Sequence, residues 1–122
     1  MTIVRAALDK LLELIGGDPN SLAELIESFL DESPMLVEQM QRAANVGDQK
    51  SLGRAAHTLK SSARDFGADQ LSVLCQALEK SCKGGMPEDA ATPVNAIAAE
   101  CVLAQQDLTI HLTGLKRGDG LK

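Results

Sequence analysis

Ala55-Ala56-His57-Thr58-Leu59-Lys60-Ser61-Ser62-Ala63-Arg64-Asp65-Phe66-Gly67-Ala68 reads as the end of an amphipathic helix and the turn that stops it. Leu52, Ala56, Leu59, Ala63 and Phe66 recur in helical steps, so one face is apolar. His57 falls on the opposite face. Lys60, Ser61 and Arg64 follow it three, four and seven residues later. That spacing predicts an imidazole, two cations and a small hydroxyl on one side of one helix. A neutral imidazole is a nucleophile toward phosphorus, and nearby cations favour a product whose oxygens are negatively charged. The arrangement therefore suits a transferable phosphoryl group.

The same periodicity continues on both sides of this stretch. Helix one is expected from about Thr2 to Ile15, with Val4, Ala7, Leu8, Leu11, Leu12 and Ile15 apolar, and Gly16-Gly17 ending it. Asp18-Pro19 caps and opens helix two. Its stripe of Leu22, Ile26, Phe29, Leu36, Met40 and Ala44 keeps phase across Pro34, which predicts one long bent helix. Gly47-Asp48 ends it and caps helix three, Gln49 to Phe66. Helix four is expected from Asp69 to Cys82, with Leu71, Leu74, Cys75, Leu78 and Cys82 inward. Thr92-Pro93 opens helix five, whose inner stripe reads Val94, Ile97, Cys101, Ala104, Leu108, His111 and Leu115. Short connections make neighbours antiparallel. The expected fold is all-α: an up-down four-helix bundle braced by an additional N-terminal helix, residues 1–115. Residues 116–122 are expected to be a flexible tail, with fraying from Gly114.

The 122 residues suffice for one domain that buries roughly two-thirds of its unfolded surface. The formal charge of −5 and the absence of Trp and Tyr argue against nucleic acid as a partner. No apolar run is long enough for a membrane span, and no signal-peptide pattern opens the chain. Cys75, Cys82 and Cys101 follow neither a disulfide nor a zinc spacing; they read as reduced core residues of a cytoplasmic protein. No Gly-rich nucleotide loop is present, which argues against autonomous use of ATP. No cofactor or metal is expected.

The hairpin about Gly67 brings residues Gln76 to Glu79 level with His57. Either Gln76 or Glu79 would fix the ring's tautomer, with Glu79 preferred. Gly53 and Ser61, one turn either side of His57, are small enough for a partner to approach the ring.

The stretch from His57 to Ala68, with Leu71, Leu74-Cys75 and Leu78-Glu79 after it, resembles the signature of histidine-containing phosphotransfer (HPt) domains. The specific part of the likeness covers about residues 53 to 82; a weaker one extends over nearly the whole chain. The resemblance implies that His57 accepts a phosphoryl group through Nε2 and that Lys60 steadies it. It further implies a relay between phospho-aspartate receiver domains, of a hybrid histidine kinase, a response regulator or both. Mg²⁺ and most catalytic groups would belong to the receiver, leaving this chain a carrier and not an enzyme. Ser61 stands where the family usually has Gly, and Ala63 where a Ser is common.

Blander readings stand beside these. A solitary exposed His is usually only solvated, and Arg64 is equally a solvated charge. His111, on the inner stripe, reads as a packing residue. The segment from Leu30 to Val37, with Met35 on an apolar rim near His57, is the best candidate for the exposed stripe that the alternative, a plain helical adaptor or dimerisation module, requires. A monomer is the default expectation.

Overall fold

The computed structural model describes residues 3–117. Five helices follow in chain order: α1 Arg5–Leu14, α2 Pro19–Val46, α3 Gln49–Asp65, α4 Asp69–Lys83 and α5 Ala91–Lys116. No strand occurs among the described residues. Helices α2 to α5 close a ring in which α2 packs on α3 and α5, and α4 packs on α3 and α5. Fully buried Ile26, Met40, Leu52, Leu59, Leu71, Leu78, Ile97 and Leu108 fill its centre.

Local chemistry sets the helix ends. The Asp18 carboxylate accepts from Asn20 N–H at 3.0 Å and from the Ser21 hydroxyl, with Pro19 in the first turn. Asp48 does the same for Ser51 N–H at 3.1 Å, and Asp89 for Thr92 N–H at 3.1 Å. The α2 helix runs unbroken through Pro34, as the continuous stripe predicts. Buried Ser33 accepts from Gln105 Nε2 at 2.9 Å, which ties α2 to α5.

Four expectations are corrected. Helix one begins at Arg5 and not near Thr2, because tertiary partners take the preceding backbone donors. Ile3 N–H donates to Asp107 Oδ2 at 2.9 Å, and Val4 N–H to the Gly67 carbonyl at 2.9 Å. Val4, expected inward, is exposed while Ile3 is buried. In α5 the inner stripe ends on Leu112; His111 and Leu115 are only half-buried. Finally, α5 continues through Gly114 to Lys116, whose Nζ lies 3.3 Å from Glu27 Oε2. Lys116, expected to open the tail, is therefore helical, and residues 118–122 of that expected tail lie outside the described residues.

Gly67 joins the brace to the site. Its φ of +77° is left-handed, and an added Cβ would lie 2.7 Å from both Ala7 Cβ and the Val4 carbonyl oxygen. The turn that sets the α3–α4 register therefore also seats α1. Phe66 beside it packs in a tilted pair on Phe29 of α2, with ring centroids 5.1 Å apart. The Gly67→Ala variant combines a left-handed backbone penalty with overpacking, so it should lose about 2–4 kcal/mol of stability in urea titrations. A loss under about 1 kcal/mol would show that the turn relaxes freely.

Candidate functional site

The α3–α4 hairpin places His57 and Glu79, 22 residues apart, directly across from each other. The His57 side chain is 59% exposed, whereas Glu79 is 16% exposed and Lys60 15%. His57 Nδ1 lies 2.6 Å from Glu79 Oε2, and Lys60 Nζ lies 2.6 Å from Glu79 Oε1. One carboxylate thus bridges the imidazole and the ammonium. Gln76 is exposed, so of the two candidate partners it is Glu79 that meets the ring.

The hydrogen bond from Lys60 holds Glu79 below its ordinary value of 4.5; partial burial opposes this, and the bond from His57 adds to it. Glu79 is therefore ionised near neutral pH, and an ionised carboxylate only accepts. Nδ1 must carry the proton it donates. In the neutral ring the lone pair then belongs to Nε2, the nitrogen on the side away from Glu79. The result is an exposed ring locked in one tautomer, with its lone pair on Nε2.

Lys60 is placed differently from its sequence expectation. Its ammonium is half-buried in the seam between α3 and α4, where it shares the Glu79 carboxylate with the ring. Its own backbone carbonyl accepts from the buried Ser72 hydroxyl at 3.1 Å, which pins this turn of α3 to α4. Gly53 also serves the seam: an added Cβ would sit 3.3 Å from Cys82 Cβ, so its missing side chain lets the helices approach. It borders the groove beside His57 as well. Ser61 and Arg64 are exposed one and two turns after His57, on its face of the helix.

The apolar segment on α2 is not brought together as a single surface. Leu36, Gln39, Ala43 and Val46 line a groove of about 600 Å³ against Ser51, Arg54, Ala55 and Thr58 of α3. Leu30 lies about 120° around α2 from Leu36 and is half-buried, so it does not share that face. Val37 is buried, and Met35 is 60% exposed without lining the groove. The expected stripe from Leu30 to Val37 is therefore split between core and solvent.

Sequence reasoning passed over three cations. Lys50, Arg54 and Lys83 line a second groove, of about 460 Å³, together with Gly53, His57 and Glu79. Arg54 is one turn before His57, so the spacing rule applied to Lys60 would have found it. Lys83 comes from α4 and only the hairpin places it there. From Arg42 to Lys83 the chain has seven Lys and Arg against four Asp and Glu, a local balance of +3 within a total of −5. The groove beside His57, with three cations and one carboxylate in its lining, is thus positive on an acidic body.

Among the described residues, no group of three or more His, Cys, Asp or Glu is placed to hold a metal ion. The three cysteines are free and buried, and burial pushes the Cys75 thiol up to about 12. No helix of the described residues is long and apolar enough to cross a membrane.

The family model for the Hpt domain matches residues 24–111. The fold is similar to the crystal structure of histidine-containing phosphotransfer protein B from Pseudomonas aeruginosa. That likeness has a TM-score of 0.84 at 20% identity and covers 92% of this chain and 95% of that one. It is also similar to the HPT domain of an Hpt sensor hybrid histidine kinase from Shewanella, with a TM-score of 0.75 at 24% identity over 92% and 94% of the two chains. No curated protein matches the chain.

Two measurements check the bridge. A carboxylate held below its ordinary value adds stability above the unfolded-state value and loses it as pH falls through the folded one. The stability gap between wild type and Glu79→Gln should hold steady above about pH 5 and shrink on acidification below about pH 4. A gap independent of pH would remove the charged bridge. Nitrogen chemical shifts of the neutral His57 ring should report the Nδ1–H form in wild type and a mixture in Glu79→Ala.

Proposed function

Since the chain belongs to the Hpt domain family, we propose that it carries a phosphoryl group on His57 Nε2 between receiver domains of a phosphorelay. The observation that carries this reading is the lock on Nδ1: an exposed ring whose proton is assigned to Glu79 leaves Nε2 to attack. The lone pair of Nε2 forms a bond to phosphorus as the P–O bond to the receiver's aspartate breaks. The carboxylate leaves with that electron pair. No proton need move, because Nδ1–H stays where it is. The phosphorylated ring is then cationic, and the Glu79 carboxylate at 2.6 Å stabilises that new charge. Transfer onward is the same step reversed toward a second aspartate.

The chain acts in this scheme as a carrier in the cytoplasm, with the receiver supplying Mg²⁺ and the remaining catalytic groups. The donor is the receiver domain of a hybrid histidine kinase, the acceptor that of a response regulator. The positive face around His57 suits a partner surface that bears phosphate and carboxylates. The adaptor reading draws less support, because Leu30, Met35 and Val37 form no common surface.

Incubation with a phosphorylated receiver should give an acid-labile, base-stable label on the wild type and none on His57→Gln. Equal labelling of that variant would refute the proposal. Lys60→Ala should slow transfer roughly tenfold while leaving the helical content intact, because Glu79 loses its principal anchor. Unchanged kinetics would remove Lys60 from the mechanism.

A further inference from the structure

Helix α5 differs from the other four in what it shows to solvent. Those helices expose charge on their outer faces, as at Asp9 of α1, Glu24 of α2, Arg54 of α3 and Lys80 of α4. From Ala91 to Thr113 every exposed residue of α5 is uncharged. Its inner stripe fills the core, yet Leu103 is 48% exposed and Ile110 69%. A helix that is apolar on both sides has a second surface to cover. The exposed residues Ala96, Ala99, Leu103, Gln106, Ile110 and Thr113 recur in alternating steps of three and four. That is a repeat of 3.5 residues, the spacing of a seam between paired helices. Thr109, Ile110, Thr113 and Gly114 also border a shallow hollow near the C-terminal end of the strip. The acids of α5, Glu100 and Asp107, are half-buried and stand together on one flank of it.

We infer that this strip is a dimer interface, and that its occupant is α5 of a second copy of the chain in parallel register. Two observations select a copy. The polar residues on the seam itself, Thr92, Gln106 and Thr113, carry hydroxyls or an amide. Each such group both donates and accepts, so it can bond to its own counterpart across a twofold axis, as a charged group cannot. In addition, two bodies of charge −5 repel, and the strip is a face on which they meet without apposing like charges. A membrane surface would call for Lys and Arg beside the apolar residues, and the strip has none. Parallel pairing sets Asn95 across from Glu100 of the second copy, an amide donor against a carboxylate. A centred antiparallel pair would set Glu100 against Asp107 of the second copy, acid against acid. A strip about 33 Å long and one helix wide buries on the order of 1,000 Å² in all, the weak end of specific interfaces, so the dimer is reversible. Because α5 packs on α2 and α4, diagonal to α3, both His57 rings stay open in the dimer. The inference stands whether or not His57 carries a phosphoryl group.

Sedimentation equilibrium of the full chain, from about 5 to about 500 μM, tests this. The mean mass should rise from one chain toward two, with half-association at roughly 20–200 μM. Leu103→Glu and Ile110→Glu, both at exposed positions, should keep the helical content and melting temperature of wild type and weaken association at least about tenfold. Val73→Glu charges an exposed apolar residue of α4 outside the strip and should change association less than about twofold. Raising NaCl from about 0.05 to about 0.5 M should tighten the dimer, because salt screens two acidic bodies and no ion pair across the seam is lost. In Ala99→Cys, mild oxidation should link two chains at that position, which parallel register brings within disulfide reach. The native cysteines are buried and stay out of that reaction. The inference is overturned if wild type remains a single chain at about 500 μM, which would leave the strip to a different protein or to a membrane. It is equally overturned if Leu103→Glu associates like wild type, if Val73→Glu abolishes association, or if salt dissociates the dimer. Dimers that refuse the cross-link in Ala99→Cys would overturn the parallel register.

Discussion

A single half-buried carboxylate organises this protein's chemistry. Glu79 accepts from His57 with one oxygen and from Lys60 with the other, both at 2.6 Å. The ammonium keeps the carboxylate ionised, the ionised carboxylate keeps the proton on Nδ1, and the proton on Nδ1 leaves the lone pair on Nε2. Each step requires the previous one. In the proposed relay the bridge also gives a charge balance suited to turnover: the seam would hold one carboxylate and one ammonium before transfer, and the same carboxylate would meet a cationic ring afterwards.

That bridge exists only if α3 and α4 pair in one register. Several independent contacts hold them there. Gly67 makes a left-handed turn that nothing with a Cβ would fit, and α1 is seated on it. Gly53 allows close approach to Cys82, and Gln49 donates across to the Cys82 carbonyl. Ser72 donates to the Lys60 carbonyl. The brace helix, far from His57 in the chain, thus contributes to the site through the turn it clasps. The exposed ring itself adds little to the core; the packing beneath it is Leu52, Ala56 and Leu59, all fully buried.

Charge is distributed with a matching logic. The acidic body carries a stretch from Arg42 to Lys83 that is net positive. Long-range attraction of an anionic partner would be felt at this face and opposed elsewhere, so the field orients an encounter before any contact forms. Screening limits this to about 8 Å at physiological salt.

Helix existence, order and most ends were legible in the sequence alone, because periodicity, Asp caps and terminating glycines are local signals, as Asp18-Pro19 and Gly47-Asp48 illustrate. The outward placement of His57 and the inward placement of Leu59 followed from spacing in the same way. Other features were not legible. Ile3 and Val4 look helical by pattern, yet Asp107 and Gly67 claim their backbone N–H groups from 104 residues and 63 residues away. Lys60 follows His57 by one turn, but the carboxylate that the two share is 19 residues further on from Lys60. Lys83 carries no spacing signal toward His57 at all. Short-range sterics and burial dictated the helices; which charges meet was decided only by docking two of them, since a Coulomb interaction depends on separation in space and is indifferent to separation along the chain.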